Sequence, residues 1–304
     1  IRRQRQMCIR DRYPPLETLT RLAAESGDMS LATCMLVLPL FHPLHVAQQA
    51  ALLDIVSEGR FTFGVAPGWQ EDEFKILGLD HSRRVGRYVE SLTLIKRLWM
   101  EERVDFDGKH FQADGLELAL KPMQQPRPPM WYGGSVDKAV ERAARLSDTS
   151  LGDSWVASSH LTEEVITRQA VLYQDTLKQL GKPAPVEFPL LRNIVVASDR
   201  ETALREAGPF LEASYRIFGQ WGLFTNVVGS GKAQLDLEEL IAGRVILGSP
   251  EECAEELVRL SRTTGFTRLI ARIQWLGMDQ RIVLRTIQLL ANEVRPLVEA
   301  NLRE

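Results

Sequence analysis

The sequence predicts an α/β fold built on parallel strands. Short apolar segments alternate with longer segments of helical periodicity along residues 13–304, which is the pattern of repeated βα units. Segment 31–38 (LATCMLVL) is apolar at nearly every position, as expected of a strand that is covered on both faces. The predicted strands start at residues 31, 60, 130, 149, 190 and 268.

The number of strands leaves two architectures open. Eight parallel strands would close a barrel of the triosephosphate-isomerase (TIM) type, whereas the six predicted strands could also form an open doubly wound sheet. No GxGxxG fingerprint, which would favour the open sheet, follows an early strand. The strand count alone therefore does not choose between the two architectures.

The first half of the chain has recognisable element boundaries. A helix is predicted over 44–57, because its apolar residues recur at helical spacing. The strand over 60–66 ends where Pro67, Gly68 and Trp69 interrupt the apolar run. A helix over 83–99 then precedes a hairpin with an Asp-Gly turn pair. The predicted hairpin spans residues 103–120.

The second half repeats the alternation of strands and helices. Ser249 and Glu252 flank Pro250 as a capping box, which predicts that a helix starts there. Glycines at 219, 222, 229, 231 and 243 indicate an insertion or lid over 219–243. The other predicted helices of this half are 137–146, 162–180 and 280–297.

The composition of the 304-residue chain is that of an ordinary globular protein, with 44% hydrophobic and 25% charged residues. The 37 basic and 40 acidic residues give a net charge of −3, so nothing favours binding to nucleic acid or to an acidic membrane. No apolar run approaches the roughly 20 residues of a membrane-spanning helix. Cys8, Cys34 and Cys253 have no CxxC spacing, so we expect no metal site, no disulfide framework and a reduced, cytoplasmic setting.

Residues 1–12 read IRRQRQMCIRDR, with five arginines and no helical or strand periodicity. The hexapeptide MCIRDR is what ATG TGT ATA AGA GAC AG(A/G) encodes, which resembles a transposon end used to build sequencing libraries. We therefore expect a non-native, adapter-derived leader, followed by the native chain from about Tyr13. A genuine basic arm is the alternative. The segment lacks the apolar core of a secretory signal.

The most specific pattern of the chain lies in residues 31–74, LATCMLVLPLFHPLHVAQQAALLDIVSEGRFTFGVAPGWQEDEF. A VLP run is followed by His-Pro, then by GR, FGV and GW. This block resembles the bacterial-luciferase-like flavin oxidoreductases, and weaker similarity extends over essentially all of 13–304. The resemblance covers the predicted strands as well as the connections between them.

The resemblance implies a TIM-type (β/α)₈ barrel domain over 13–304. In that family two strands and a helix precede the position of Tyr13, so we expect an N-terminally truncated barrel with six of its eight strands. A barrel that lacks two strands exposes two strand edges. We therefore expect such a fragment to fold poorly or to aggregate.

A phosphate-binding turn is predicted at Gly133, Gly134 and Ser135. The two glycines leave a predicted strand, and Ser135 is placed to cap a helix that begins at Val136. Free N–H groups and the helix dipole make such a terminus suitable for a phosphate, although an ordinary strand–helix turn has the same pattern. The resemblance implies that the flavin phosphate lies here.

The resemblance implies further contacts with the flavin. Cys34 and Met35 match the place of a non-prolyl cis peptide beneath the flavin ring; a plain core strand, with Cys34 as a small buried hydrophobe, is the alternative. Ala66 stands where luciferase has a reactive cysteine, so light emission from an aldehyde is not expected. Ser154 and Trp155 match positions that contact flavin, and core packing is the alternative for Trp155.

Residues that follow strands are candidates for the substrate pocket. Trp69, Gln274 and Trp275 are expected to line it, because active sites of barrels lie at the carboxyl ends of the strands; packing is equally consistent with Trp69. His42 is a weak catalytic candidate, since a helix cap explains it equally well. In the family a histidine closes the second strand, which this sequence does not include, so no catalytic residue is assigned.

The resemblance implies a flavin-dependent oxidoreductase. We expect a monooxygenase that takes reduced, diffusible FMN from a separate flavin reductase and inserts one oxygen atom of O₂ into a small organic substrate. Hydride transfer with the deazaflavin coenzyme F-420 is the alternative within the same fold, and Gly133-Gly134 and Gly152-Asp153 suit it. A non-catalytic flavin-binding barrel is the alternative of another class, which Ala66 permits. A homodimer is compatible with each interpretation.

Overall fold

The computed structural model describes residues 13–220 and 236–303. The strands in these ranges are β1 Leu31–Ala32, β2 Leu36–Val37, β3 Phe61–Ala66, β4 Val104–Asp107, β5 Gln112–Leu116, β6 Met130–Gly133, β7 Ser154–Val156, β8 Pro189–Val196, β9 Val245–Gly248 and β10 Arg268–Arg272. The α-helices are α1 Pro15–Ala23, α2 Pro43–Val56, α3 Glu71–Ile76, α4 Arg84–Met100, α5 Asp137–Leu146, α6 Glu163–Gln179, α7 Arg200–Gln220, α8 Leu237–Ile241, α9 Pro250–Thr264, α10 Gln280–Leu289 and α11 Arg295–Arg303.

The described residues fall into two compact units. The first unit contains the described residues up to Gly134, together with Arg145–Trp155 and Lys182–Val186. The second unit contains Ser135–Ala144, Val156–Gly181 and the described residues from Glu187 onward.

The first unit is organised around a parallel sheet in the order β1, β3, β6, β7, with β2 also paired to β3. The apolar segment 31–38 was predicted as one strand, but it forms two short strands separated by residues 33–35. Alternate residues of β3 pack into the core, and Phe63 contacts Trp99 of α4 ring edge to ring face. The predicted hairpin is confirmed, because β4 and β5 pair antiparallel.

The second unit has a three-stranded parallel sheet with β8 between β9 and β10. An isolated parallel bridge joins Ala157 to Leu190 of β8. The predicted strands starting at 190 and 268 are confirmed as β8 and β10. The prediction missed β9, whose four residues Val245–Gly248 directly follow the glycine-rich segment that was assigned to a lid.

The predicted α/β class and the parallel pairing are confirmed. No closed ring of hydrogen-bonded strands is present in residues 13–220 and 236–303; their strands form the two parallel sheets and the hairpin. The expected loss of two strands before Tyr13 stays a prediction, and residues 1–12 lie outside the described part of the chain.

The observed helix boundaries test the capping and glycine signals that the sequence predicted. The capping box at Ser249 is confirmed: its side chain accepts from the N–H of Glu252, whose carboxylate accepts from the N–H of Ser249. The predicted lid over 219–243 lies mostly in 221–235, outside the described residues, and its described end forms the short helix α8. None of the described helices is long and apolar enough to cross a membrane.

Candidate functional site

Three predicted cofactor residues meet at the carboxyl ends of β3 and β6. The two strands pair in parallel, so Ala66 and Gly133 end them at the same edge of the sheet. A Cβ built on Gly133 would lie 3.0 Å from Cγ of Met35 and 3.1 Å from Cβ of Ala66. Met35, Ala66 and Gly133 therefore form one continuous surface, and each is partly accessible.

The peptide bond between Cys34 and Met35 is cis, as the resemblance implies. The alternative of a buried Cys34 is wrong, because this residue is exposed. Protein atoms nevertheless crowd the thiol, and the resulting desolvation raises its pKa to about 11. The thiol is therefore neutral at physiological pH, which makes it a poor nucleophile.

Trp155 lies in the core of the first unit. Its side chain is fully buried, and its Nε1 donates to the carbonyl oxygen of Gly134 over 2.9 Å. A buried indole has no accessible surface to offer a ligand. This burial favours core packing, the alternative interpretation, and Trp155 fixes the turn that follows β6. Contact of Trp155 with flavin stays a prediction. Ser154 is also fully buried, so it does not present its hydroxyl to solvent.

Ser135 does not cap α5. The helix begins at Asp137, and the carbonyl of Val136 accepts from the N–H groups of Ala139 and Val140. Val136 is therefore the cap residue, one position later than predicted. The carbonyl of Ser135 accepts from Nε2 of Gln169 in α6.

A pair of arginines from the start of α4 reaches the same rim of the first unit, and the sequence analysis missed both. Nε of Arg84 donates to the carbonyl of Gly68 over 3.1 Å, and Nε of Arg87 donates to the carbonyl of Pro39 over 2.8 Å. They place positive charge beside the loops that follow β3 and β2. Trp69, next to Gly68, is 40% exposed, and its place in a substrate pocket stays a prediction.

His42 caps α2. Its Nδ1 accepts from the N–H of Leu44 over 3.3 Å, and its ring packs edge to face against Phe111. Burial first, and then the charges of His45 and Arg87, lower the pKa of His42. This arrangement favours the capping interpretation over a catalytic role.

In the second unit, Gln274 and Trp275 follow the end of β10. Gln274 is exposed, whereas Trp275 is 3% exposed with its ring near the guanidinium of Arg272. Nε1 of Trp275 has no hydrogen-bond partner among the described residues. Whether either residue lines a substrate pocket stays a prediction.

Asp153, which with Gly152 suits the F-420 alternative, is a structural residue. Both of its carboxylate oxygens bind the guanidinium of Arg127 over 2.8 Å, in a pair that is almost fully buried. The same carboxylate accepts from Tyr132 Oη and from the N–H groups of Met130 and Asp148. With every lone pair engaged, Asp153 holds the starts of β6 and β7 together and has no capacity left for a ligand.

The surface formed by Met35, Ala66 and Gly133 carries no acid, base or nucleophile. No group of three or more His, Cys, Asp or Glu residues suited to a metal ion occurs in the part of the chain that the structure describes. Redox chemistry at this surface would come from a bound organic cofactor, while the protein would supply position and an apolar surrounding.

Comparisons with known proteins agree with redox chemistry that depends on a bound organic cofactor. A family model described as luciferase-like monooxygenase matches residues 7–268. The chain is also 28% identical, over 235 residues, to the oxygenase component of a flavin-dependent trigonelline monooxygenase from Acinetobacter baylyi. That alignment covers 75% of this chain and 62% of the relative. The chain thus spans less than two thirds of the length of that relative.

Solved structures share the fold. One is the oxygenating constituent of 3,6-diketocamphane monooxygenase from Pseudomonas putida with FMN, at a TM-score of 0.76 and 19% identity, covering 93% of this chain and 84% of that one. Another is the coenzyme F-420-dependent tetrahydromethanopterin reductase from Methanopyrus kandleri, at a TM-score of 0.74 and 17% identity, covering 94% and 88%. At these identities the similarity establishes the fold alone.

Proposed function

The chain belongs to the luciferase-like monooxygenase family, and we propose that it uses reduced FMN and O₂ to insert one oxygen atom into a small organic substrate. The observation that carries the proposal is the joint surface of Met35, Ala66 and Gly133 at the carboxyl ends of neighbouring strands. Cofactors of parallel-strand enzymes lie at this end of the strands.

The residues of this surface suit a flat, largely apolar ring. Gly133 has no side chain, and a Cβ there would already lie 3.0 Å from Met35 and 3.1 Å from Ala66. Larger side chains at Ala66 or Gly133 would occupy the space in front of the strand ends. The small residues therefore leave a cradle, and the thioether of Met35 offers a polarisable, apolar contact.

Each part of the proposed site has a physical role. Met35 and Ala66 would exclude water from the reacting face. Trp155 holds the Gly134 carbonyl and so fixes the turn beside that face. Arg84 supplies positive charge at the rim, which suits an anionic phosphate tail. Reduced FMN would supply two electrons, so that one oxygen atom of O₂ enters the substrate and the other leaves as water.

A separate reductase is part of the proposal. The Acinetobacter relative is named as an oxygenase component, and such a component needs its flavin reduced elsewhere. We therefore expect reduced FMN to arrive by diffusion from another protein.

Hydride transfer with coenzyme F-420 is the second candidate. It is supported by the fold shared with the Methanopyrus reductase, whose coenzyme does not need an oxygen-handling site. Of the two sequence features that suited it, Gly133-Gly134 lies at the proposed site, whereas Asp153 is engaged with Arg127. Gly133-Gly134 suits FMN equally well. No feature of the site therefore favours F-420 over FMN, and the monooxygenase is preferred.

Anaerobic titration with reduced FMN and, separately, with reduced F-420 tests the proposal. We expect saturable binding of FMN, and substitution Gly133→Ala should weaken it because the new methyl group meets Met35 and Ala66. Gly208→Ala is the matched control: its Cβ would meet Cδ2 of Leu237 at 3.1 Å, within the second unit. Saturable binding of F-420 without binding of FMN would overturn the proposal.

A further inference from the structure

The strand segment that carries Met35 contains one extra residue relative to its neighbour. Ala32 pairs with Thr62, and Leu36 pairs with Val65. Residues 32 and 36 are four positions apart in the chain, whereas their partners on β3, residues 62 and 65, are three positions apart. The mismatch is a β-bulge at residues 33–35, and bulges commonly redirect side chains at functional sites.

Thr33 secures this bulge with its side chain. Its Oγ1 donates to the carbonyl of Gly64 over 2.7 Å and accepts from the N–H of Gly64 over 2.9 Å. Thr33 is only 3% exposed, so water does not replace these bonds at low cost. The hydroxyl thus provides hydrogen-bond partners for both backbone groups of Gly64 at the point where the ladder is interrupted.

The close approach of the Thr33 backbone to β3 requires a glycine at position 64. A Cβ on Gly64 would lie 1.8 Å from the carbonyl oxygen of Thr33, a distance that no side chain tolerates. The same Cβ would lie 3.1 Å from Sδ of Met35. Met35 therefore lies directly over the space left by Gly64, and its Cγ reaches the corresponding space at Gly133.

We propose that Thr33 is a positioning residue of the flavin site. Its hydroxyl fixes the bulge, the bulge places Met35 across Gly64 and Gly133, and Met35 then forms one wall of the cofactor surface. Thr33 is buried and acts only through Met35. The inference rests on the proposed function, since it assigns a role to this geometry in binding FMN.

The test compares three variants of the protein by equilibrium binding of reduced FMN, thermal unfolding and amide hydrogen exchange. Thr33→Val keeps the shape but removes both hydrogen bonds, and Thr33→Ser retains the hydroxyl. Thr264→Val is the matched control. Thr264 is also 3% exposed, and its Oγ1 donates to the carbonyl of Leu260 and accepts from the N–H of Phe266.

We expect Thr33→Val to raise the dissociation constant for FMN about tenfold, Thr33→Ser to restore most of the affinity, and Thr264→Val to bind like the wild type. Both valine variants should lower the melting temperature. Faster exchange in peptides covering 31–37 and 61–66 should occur only in Thr33→Val. This pattern would support the positioning role.

Two outcomes separate the inference from the function on which it rests. If the wild type binds FMN and Thr33→Val binds it equally well, the positioning role is refuted while the proposed function stands. If the wild type binds no FMN, the proposed function fails and the positioning role fails with it. A loss of affinity that Thr264→Val shares would assign the effect to general destabilisation and would also refute the positioning role.

Discussion

The indole N–H of Trp155 donates to the carbonyl of Gly134 over 2.9 Å, and the tryptophan side chain is fully buried. Gly134 directly follows β6, and Trp155 is the central residue of the neighbouring strand β7. A single hydrogen bond thus ties the core of the first unit to the turn on which the proposed cofactor site depends.

Trp155→Phe should weaken FMN binding as well as stability. Phenylalanine fills most of the space but leaves the part-buried Gly134 carbonyl without its donor, which should cost about 1 kcal/mol, the lower end of the range for a buried group. The turn after β6 should then become more mobile. Chemical denaturation and FMN titration of the same preparation measure both effects.

Trp99→Phe is the control for that experiment. Trp99 is also buried, and its Nε1 donates to the carbonyl of Ala47 over 3.0 Å. The two variants should lose similar stability, but Trp99→Phe should bind FMN like the wild type. Equal FMN affinity in both variants would contradict the role assigned to Trp155.

Arg127→Met should be strongly destabilising. It leaves the carboxylate of Asp153 buried without its charged partner, which typically costs about 3–5 kcal/mol. Arg168→Met is the comparison, because the Arg168–Asp137 pair is largely exposed and should contribute at most about 1 kcal/mol. Urea unfolding of both variants measures the difference. Similar losses in the two would show that the buried pair is less important than its geometry indicates.

Cys34 should react slowly with alkylating agents although it is exposed. Its pKa of about 11 leaves about two orders of magnitude less thiolate at pH 8 than an ordinary cysteine has. Iodoacetamide labelling followed by peptide mapping identifies this cysteine separately from the others. The rate should rise steeply between pH 8 and 11 and should become ordinary in denaturant. Rapid labelling of the folded protein at pH 8 would be inconsistent with the crowded thiol.

His160 should make the folded state less stable in mild acid. Burial first, and then the charge of Arg244, lower the pKa of this histidine from 6.5 to about 4. The unfolded chain therefore binds more protons between these values, so stability is complete above about pH 6.5 and falls toward pH 4, by at most about 1.4 kcal/mol per pH unit.

Urea unfolding of the wild type and of His160→Gln across this pH range isolates that contribution. The variant should have a shallower dependence of stability on pH. The exposed residue His45 provides the control, since His45→Gln leaves the His160 contribution intact. An unchanged slope in His160→Gln would show that this histidine is not responsible.

Part of the fold was predictable from the sequence, because short motifs specify individual helix starts, turns and strands. The capping box at Ser249 and the hairpin depend on residues a few positions apart, and both are confirmed, although Asp107 of the predicted turn pair is itself paired with Gln112 in the ladder. The apolar run that forms β3 was likewise recognisable, because a buried parallel strand is apolar throughout. Gly64 within this run is a further signal, one of close backbone approach.

Features that depend on partners distant in sequence were not predictable. The bulge at residues 33–35 follows from the register with β3, and the burial of Trp155 follows from the packing around β7. Strand β9 is only four residues long and borders a glycine-rich stretch, so its pattern was too short to separate from a loop. Ser135 has the right residue type for a cap, but the first helical hydrogen bonds reach Val136 instead.

A crystal structure of the protein with bound FMN would examine the cofactor surface itself. We expect the flavin ring to contact Met35, Ala66 and Gly133, with the bulge at residues 33–35 preserved. A flavin ring bound away from all three residues, in crystals where their surface is free of lattice contacts, would contradict the assignment of this surface as the cofactor site.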